Sequence, residues 1–276
     1  MRSRQGFTLV ELLVVIGIIA LLISVLMPAL ARARESGKAI KCSSNLRQIG
    51  QAIQMYVNEN RGQLPYGAVA MTASKMITWD DLLNRYLGGR MDPDQQVEAV
   101  PTQGVPNVLI CPSDTFDPIS WGVAGSRRTY ALNQSYSSSN QRGPFGKANA
   151  DLYPSAPLNG WNITPIATAP FKNYKIAQLR SITKLIFATE YPTVDNIAGH
   201  SGKAVINLPS DRNNTASGYN GYLYGLHWRL TMYNYLFGDG HCEALQLSDT
   251  FGANPVTHAP GTASLPYGMW TIDPAD

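Results

Sequence analysis

Catalytic signatures are what this chain of 276 residues most plainly lacks. It contains no H-E-x-x-H, no G-x-S-x-G and no glycine-rich phosphate loop, so zinc-protease, serine-hydrolase and nucleotide-hydrolase chemistry have no sequence support. Histidine is scarce: His200, His227, His241 and His258 stand singly, and with Asp211, Asp239 and Glu190 they form scattered candidates for acid–base or metal work. No enzyme and no catalytic residue is expected. Charge is also thin, with 15% Asp, Glu, Lys and Arg against about 25% in ordinary soluble domains. Lys plus Arg number 22 and Asp plus Glu 19, a formal +3 that falls to +1 if Arg2 and Arg4 are removed. No field strong enough for a nucleic-acid partner follows. The cysteines are Cys42, Cys111 and Cys242, and no C-x-x-C pair suggests zinc.

One long apolar run is present. From residue 7 to residue 30 the only charge is Glu11, and a helix rising 1.5 Å per residue over that length crosses a hydrocarbon core of about 30 Å. A carboxylate inside it costs at least ~2.5 kcal/mol and normally marks a partner, a cavity or a function. A cut after Gly6 would place an ammonium on Phe7, a little over one helical turn from Glu11.

The residues Arg2-Ser3-Arg4-Gln5-Gly6 followed by Phe7-Thr8-Leu9-Val10-Glu11 resemble the leader and start of type IV prepilins and type II secretion pseudopilins. That resemblance implies cleavage between Gly6 and Phe7 by a prepilin peptidase, N-methylation of Phe7, and a Glu11 that pairs with the amino terminus of an adjacent subunit. It implies a bacterial inner-membrane protein of the cell envelope, single-pass, with its C-terminal domain periplasmic or extracellular. The expected partners are the peptidase, other pilin-like subunits and membrane lipid. Pro28 stands where such helices commonly carry a kink-forming proline. An ordinary secretory signal cut before Arg32, or an uncut anchor, accounts for the apolar run but not for Gly6-Phe7 together with Glu11. The flanks point the other way on topology. Arg2 and Arg4 precede the span, whereas Arg32, Arg34, Lys38 and Lys41 follow it, a count that favours a cytoplasmic C-terminus.

The expected organisation is a leader at 1–6, a transmembrane half-helix at 7–30, an amphipathic half of the same helix at 31–60 and an extracytoplasmic globular domain at 61–276. Ile40, Leu46, Ile49, Ile53, Tyr56 and Val57 recur at helical spacing, and Asn60-Arg61-Gly62 with Pro65 supplies the stop. The fold class is α+β: a long N-terminal helix packed on an antiparallel sheet, a pilin-like lollipop with a loop-rich C-terminal domain. Strands are expected at 108–110, 128–132, 185–189, 204–208 and 232–237. Asp239-Gly240 makes a tight turn into 242–245, and long loops fill about 134–168. An oxidising compartment permits one disulfide and leaves one thiol over. Cys42 with Cys111 is favoured, three reduced and packed cysteines being the alternative.

Further islands extend the likeness along the chain: 45–56 (Asn-Leu-Arg-Gln-Ile-Gly-Gln-Ala-Ile-Gln-Met-Tyr), Val108-Leu109-Ile110-Cys111-Pro112-Ser113-Asp114, Thr129-Tyr130-Ala131-Leu132-Asn133, 185–190 and 236–241. Together they resemble a large bacterial prepilin-like family of unknown function whose C-terminal motif is His, nine residues, then Asp-Gly. Here His227 is followed by eleven residues, Trp228 through Gly238, before Asp239-Gly240. A two-residue insertion near 229–231 accounts for the difference.

The chemistry thus points to a membrane-anchored pseudopilin-like structural protein that assembles into a type II secretion or type IV pilus-like structure. An exported binding module, with Trp79, Trp121, Trp161, Trp228 and Trp270 as a carbohydrate face, and an exported enzyme are the alternatives. No cofactor is expected; Asp211-Arg212-Asn213-Asn214 offers oxygen ligands of the kind calcium takes, without the spaced acids of an EF-hand.

Overall fold

The structure is a computed structural model that describes residues 9–70, 76–92, 94, 96, 101, 103–115, 127–134, 136–137, 140–141, 144–145, 147–148, 174–193, 196–199, 204–206, 227, 232–252 and 269–270. A single helix, α1 (Leu9–Glu59), occupies the N-terminal fifth of the chain. At 1.5 Å per residue its 51 residues span roughly 77 Å. The helix is of two kinds along its length. Residues 9–30 are exposed and almost wholly apolar, long enough to cross a membrane. From Ala39 onward one face is buried: Ala39, Cys42, Asn45, Leu46, Ile49, Gly50, Ala52, Ile53 and Val57.

The expected stripe was almost this one. Ile40 departs from it, at 70% exposed, because at 100° per residue it sits well off the line of Cys42, Leu46, Ile49 and Ile53, and Ala39 takes the buried place instead. The helix runs through Pro28; proline has no N–H to offer to Ser24 four residues back, and the Ser24 hydroxyl donates to the Leu21 carbonyl at 2.7 Å. At the far end Arg61 and Gly62 take left-handed backbone, φ 56° and 81°, and the Gly62 N–H closes on the Val57 carbonyl at 2.9 Å, the kind of stop glycine permits.

The remaining described elements are β1 (Ala68–Ala70), β2 (Met76–Thr78), α2 (Trp79–Leu83), β3 (Tyr130–Asn133), β4 (Tyr136–Ser137), β5 (Asn140–Gln141), β6 (Lys147–Ala148), β7 (Ile186–Glu190), β8 (Val205–Ile206), β9 (Tyr233–Phe237) and β10 (Cys242–Leu245). The main sheet has the order β10-β9-β7-β3-β8. Its first four strands are antiparallel neighbours, with Cys242 opposite Leu236, Thr189 opposite Tyr235 and Tyr130 opposite Glu190. The short edge strand β8 pairs parallel to β3 through Leu132↔Val205 and Asn133↔Ile206. The long connection between those strands is what lets a parallel neighbour form. The sheet is thus antiparallel with one parallel edge. Two smaller ladders, β2-β1-β6 and β4-β5, stand apart from it.

The expected strand at 108–110 is instead a 3-10 turn over Asn107–Leu109. Pro106 precedes it without an N–H to give to a ladder, the Ile110 N–H bonds back to Asn107, and the Leu109 carbonyl accepts from Thr129 N–H at 2.8 Å.

Both faces of the main sheet are buried. On the helix face, Tyr130, Leu132, Phe187 and Leu236 pack with Leu46, Ile49 and Ile53 in one cluster. On the other, Ala131, Ile186, Tyr233, Tyr235, Phe237 and Trp270 form a second. Trp270 stands edge-on to Tyr235 at 6.1 Å and donates its indole N–H to Thr250 Oγ1 at 2.8 Å. Trp79 is likewise interior, its N–H given to the Ala204 carbonyl at 2.9 Å. These two tryptophans are therefore core, not a binding face; Trp121, Trp161 and Trp228 lie outside the described residues.

Beside Trp79 lies a buried ionic knot. The Arg128 guanidinium pairs with Asp80 and gives its Nε–H to Asn196 Oδ1 at 2.8 Å. Asp81 accepts the Thr78 N–H at 2.7 Å. Burial, reinforced by the adjacent Asp80 charge, pushes the Asp81 carboxyl up to about 8, against the hydrogen bonds from Thr78 and the more distant Arg128 charge. A raised carboxyl favours the folded state while it stays protonated, so this contribution is whole below about pH 4 and disappears as pH rises through about 8. Unfolding midpoints in urea should therefore fall between pH 6 and pH 9, and Asp81→Asn should flatten that slope; an unchanged slope in the variant would remove Asp81 as its source.

Candidate functional site

The site is assembled around the disulfide between Cys42 and Cys111, whose Cα atoms stand 5.1 Å apart and 69 residues apart in sequence. Cys42 lies on the buried stripe of α1. Cys111 opens the turn Cys111-Pro112-Ser113-Asp114, each polar member of which has a fixed task. The Cys111 N–H goes to Thr129 Oγ1 at 2.9 Å, and Thr129 Oγ1 in turn donates to Asp114 Oδ2 at 2.7 Å. Asp114 also pairs with Arg127. Ser113 Oγ donates to Glu35 Oε1, back on α1, at 2.8 Å. Asn45, one turn beyond Cys42, gives its Nδ2–H to the Ile110 carbonyl at 3.0 Å. The turn is therefore clamped to the helix by a covalent bond and by hydrogen bonds on either side of it.

His227 and Glu190 complete the cluster. His227 is 1% exposed; its Nε2 lies 3.1 Å from Glu190 Oε1 and 3.5 Å from Cys111 Sγ, and its Nδ1 lies 3.3 Å from Glu35 Oε1. Glu190, fully buried, also accepts the Asn234 N–H at 2.9 Å and the Asn234 side-chain amide at 2.8 Å. Burial drives the imidazolium of His227 down, but the hydrogen bond and charge of Glu190, then those of Glu35, outweigh it and hold the pKa above its ordinary value. For Glu35 burial acts upward and is outweighed by the bonds from Ser113 and His227 and the charge of Lys38, leaving the carboxyl lowered. Cys42 Sγ, Cys111 Sγ, a Glu190 oxygen and a His227 nitrogen all lie within 4.8 Å of one another, so this is a donor set able to hold a metal when its thiols are free.

Asp239 and Gly240 sit elsewhere. His227 makes an isolated bridge to Met232, just ahead of β9, whereas Asp239-Gly240 turns the chain after the other end of β9. Gly240 has φ +91° and its N–H returns to Phe237 at 2.9 Å; Asp239 accepts from exposed His241 at 2.6 Å. The structure thus brings His227 to the disulfide and leaves Asp239, Gly240 and His241 as turn and surface residues. Cys242 is the thiol left over, pushed up to about 11 by burial. Glu11 lies on the exposed apolar half of α1. Gly6, Phe7, His200, Asp211, His258 and the expected insertion at 229–231 lie outside the described residues. Glu35 was not singled out from the sequence; its signal was its place two helical turns before Cys42, on the same face.

An exposed apolar half-helix continuous with a buried half seated on a sheet defines a pilin-like protein, and its apolar end fits membrane anchoring. Comparison with known families agrees at both ends of α1. Residues 1–27 match the prokaryotic N-terminal methylation motif. Residues 31–170 match the family described as "Protein of unknown function (DUF1559)", and the chain belongs to that family. It is also similar to the type IV wide pilus major component PilA4 of Thermus thermophilus, 42% identical over 60 residues that cover 22% of this chain and 46% of that protein. The chain thus spans just under half the length of this curated relative. No solved structure matches it.

Closing a loop of this length removes about 4 kcal/mol of unfolded-chain entropy in the simplest account. Cys111→Ser should lower the unfolding free energy by about 2–5 kcal/mol in urea under oxidising conditions, with Cys242→Ser changing it far less. Equal losses in the two variants would contradict the pairing.

Proposed function

We propose that the chain is a membrane-anchored, pilin-like subunit that a prepilin peptidase cuts between Gly6 and Phe7, and whose Phe7 amino terminus is then methylated. The observation that carries this reading is the two-natured helix: residues 9–30 expose an almost wholly apolar surface whose one charge is Glu11, while the same helix, without interruption, becomes the spine of the folded domain. The methylation motif at residues 1–27 supports it, and so does the likeness to a curated pilus component.

In this reading residues 7–30 are the membrane segment, 31–60 the amphipathic half and 61–276 a domain on the periplasmic or extracellular side. The apolar half packs beside other pilin-like helices in a type IV pilus-like or type II secretion structure. A carboxylate at Glu11, near the start of an apolar segment, costs several kcal/mol in lipid; an ammonium from a neighbouring subunit's Phe7 offsets that cost, so charge pairing sets the axial stagger between subunits. The buried Trp79 and Trp270 give no support to a carbohydrate face.

Intact-mass measurement and N-terminal sequencing of the mature protein should find a methylated Phe7. A mature start at Arg32 would instead make it an ordinary secreted protein. Glu11→Val should still be cut but should enter filaments or membrane complexes less efficiently, read by the ratio of assembled to free protein after gentle detergent extraction; an unchanged ratio would count against the pairing role.

A further inference from the structure

Four metal-binding groups meet at one point in the interior: the sulfurs of Cys42 and Cys111, a Glu190 carboxylate oxygen and a His227 ring nitrogen, all within 4.8 Å of one another and all on buried side chains. A disulfide needs only the two cysteines. A buried carboxylate and a buried imidazole beside it are costly to desolvate, and such a pair is often no more stabilising than apolar side chains of similar volume.

The surroundings are those of a ligand set. His227 turns Nε2 toward the sulfur of Cys111 and the carboxylate of Glu190, and Nδ1 toward Glu35 at 3.3 Å. A ligating imidazole almost always gives its other ring N–H to a carboxylate, carbonyl or water, which fixes its tautomer and direction. Glu190 is itself held by two bonds from Asn234, at 2.9 and 2.8 Å. Two thiolates, one imidazole and one carboxylate suit a tetrahedral, borderline-soft dication of the zinc class; calcium and magnesium would take oxygens.

We propose that the reduced chain holds one zinc-class divalent cation on Cys42, Cys111, His227 and Glu190, and that disulfide and metal are alternative closures of one cluster. The exchange balances. A dithiol reductant passes two electrons and two protons to the Cys42–Cys111 bond, becoming a disulfide itself and leaving two thiols. The incoming dication then displaces both thiol protons to solvent. A disulfide oxidant reverses the sequence, taking two electrons, re-forming the S–S bond and releasing the cation. Either closure ties α1 to the 111–114 turn, and the metal would also bind α1 to the end of β7 through Glu190 and to the segment ahead of β9 through His227. No spacing rule announces such a site, because its ligands come from four separate stretches of chain.

The test uses the full-length chain in detergent carrying Cys242→Ser, so that the cluster holds the remaining thiols. It is reduced with a phosphine and titrated with cobalt(II), then with zinc. The expected result is one equivalent of cobalt with tetrahedral visible bands and thiolate charge transfer, bleached by zinc and absent from the disulfide form. His227→Asn should lose the tetrahedral spectrum. Glu35→Gln, at a part-exposed helix position that leaves all four ligands in place, should weaken affinity by about 10- to 100-fold. A reduced chain that gives no stoichiometric charge-transfer spectrum, whether folded or unfolded, overturns the proposal. So does a spectrum whose cobalt affinity Glu35→Gln leaves unchanged.

Discussion

Gly50 of α1 lies so close to β9 that a side-chain carbon built on it would stand 2.9 Å from Leu236 Cδ1. That close approach, continued by Cys42, Leu46, Ile49 and Ile53 against Tyr130, Leu132 and Leu236, seats the helix on the sheet. The other features follow from it. A continuous helix transmits the position of the domain to its apolar end, with Pro28 the one residue in the upper half that lacks a backbone donor. The sheet, covered by α1 on one side, needs a second cover. Met269 and Trp270 help supply it, with the Ile186 N–H giving a 2.7 Å bond to the Met269 carbonyl.

Among the described residues, two polar networks lie where different parts of the chain must be brought into register. At one, Arg128 joins Asp80 and Asn196 beneath the ring of Trp79, 5.6 Å from the guanidinium carbon. At the other, Glu35, Ser113, His227, Glu190 and Asn234 surround the disulfide. Groups buried this deeply must have partners, since an unmet donor or charge would cost more than the pair returns. Each network therefore accepts few arrangements of its strands and turns. At the end of α1, Glu59 meets the unfavourable end of the helix dipole and is paired there with Arg85 and Tyr86.

Much of this was legible in the residues. The long helix announced itself through an apolar run followed by helical spacing, the strands β3 and β7 through short apolar runs, and β9 and β10 through the aromatic run and the alternation on either side of Asp239-Gly240. What misled was local. Val108, Leu109 and Ile110 have strand composition, but the preceding proline and the bond from Thr129 bend them into a turn. Ile40 is apolar yet stands off the buried line. The site was legible in parts: Cys42, Cys111, His227 and Glu190 were each visible as chemistry, but not as one cluster, and Glu35 stands among Arg32, Arg34, Lys38 and Lys41 with nothing local to set it apart.

The division has a physical basis. Residues near in sequence act through periodicity, caps and hydropathy, so the order of residues alone was enough for the helix, its apolar half, its stop at Asn60-Arg61-Gly62 and the leader motif that precedes it. Contacts between distant residues depend on how strands are ordered and which way each side chain faces, and no local pattern carries that. It took the folded arrangement to show that Cys111 meets Cys42 across 69 residues, that β8 runs parallel to β3, and that a histidine 192 residues from Glu35 comes within 3.3 Å of it.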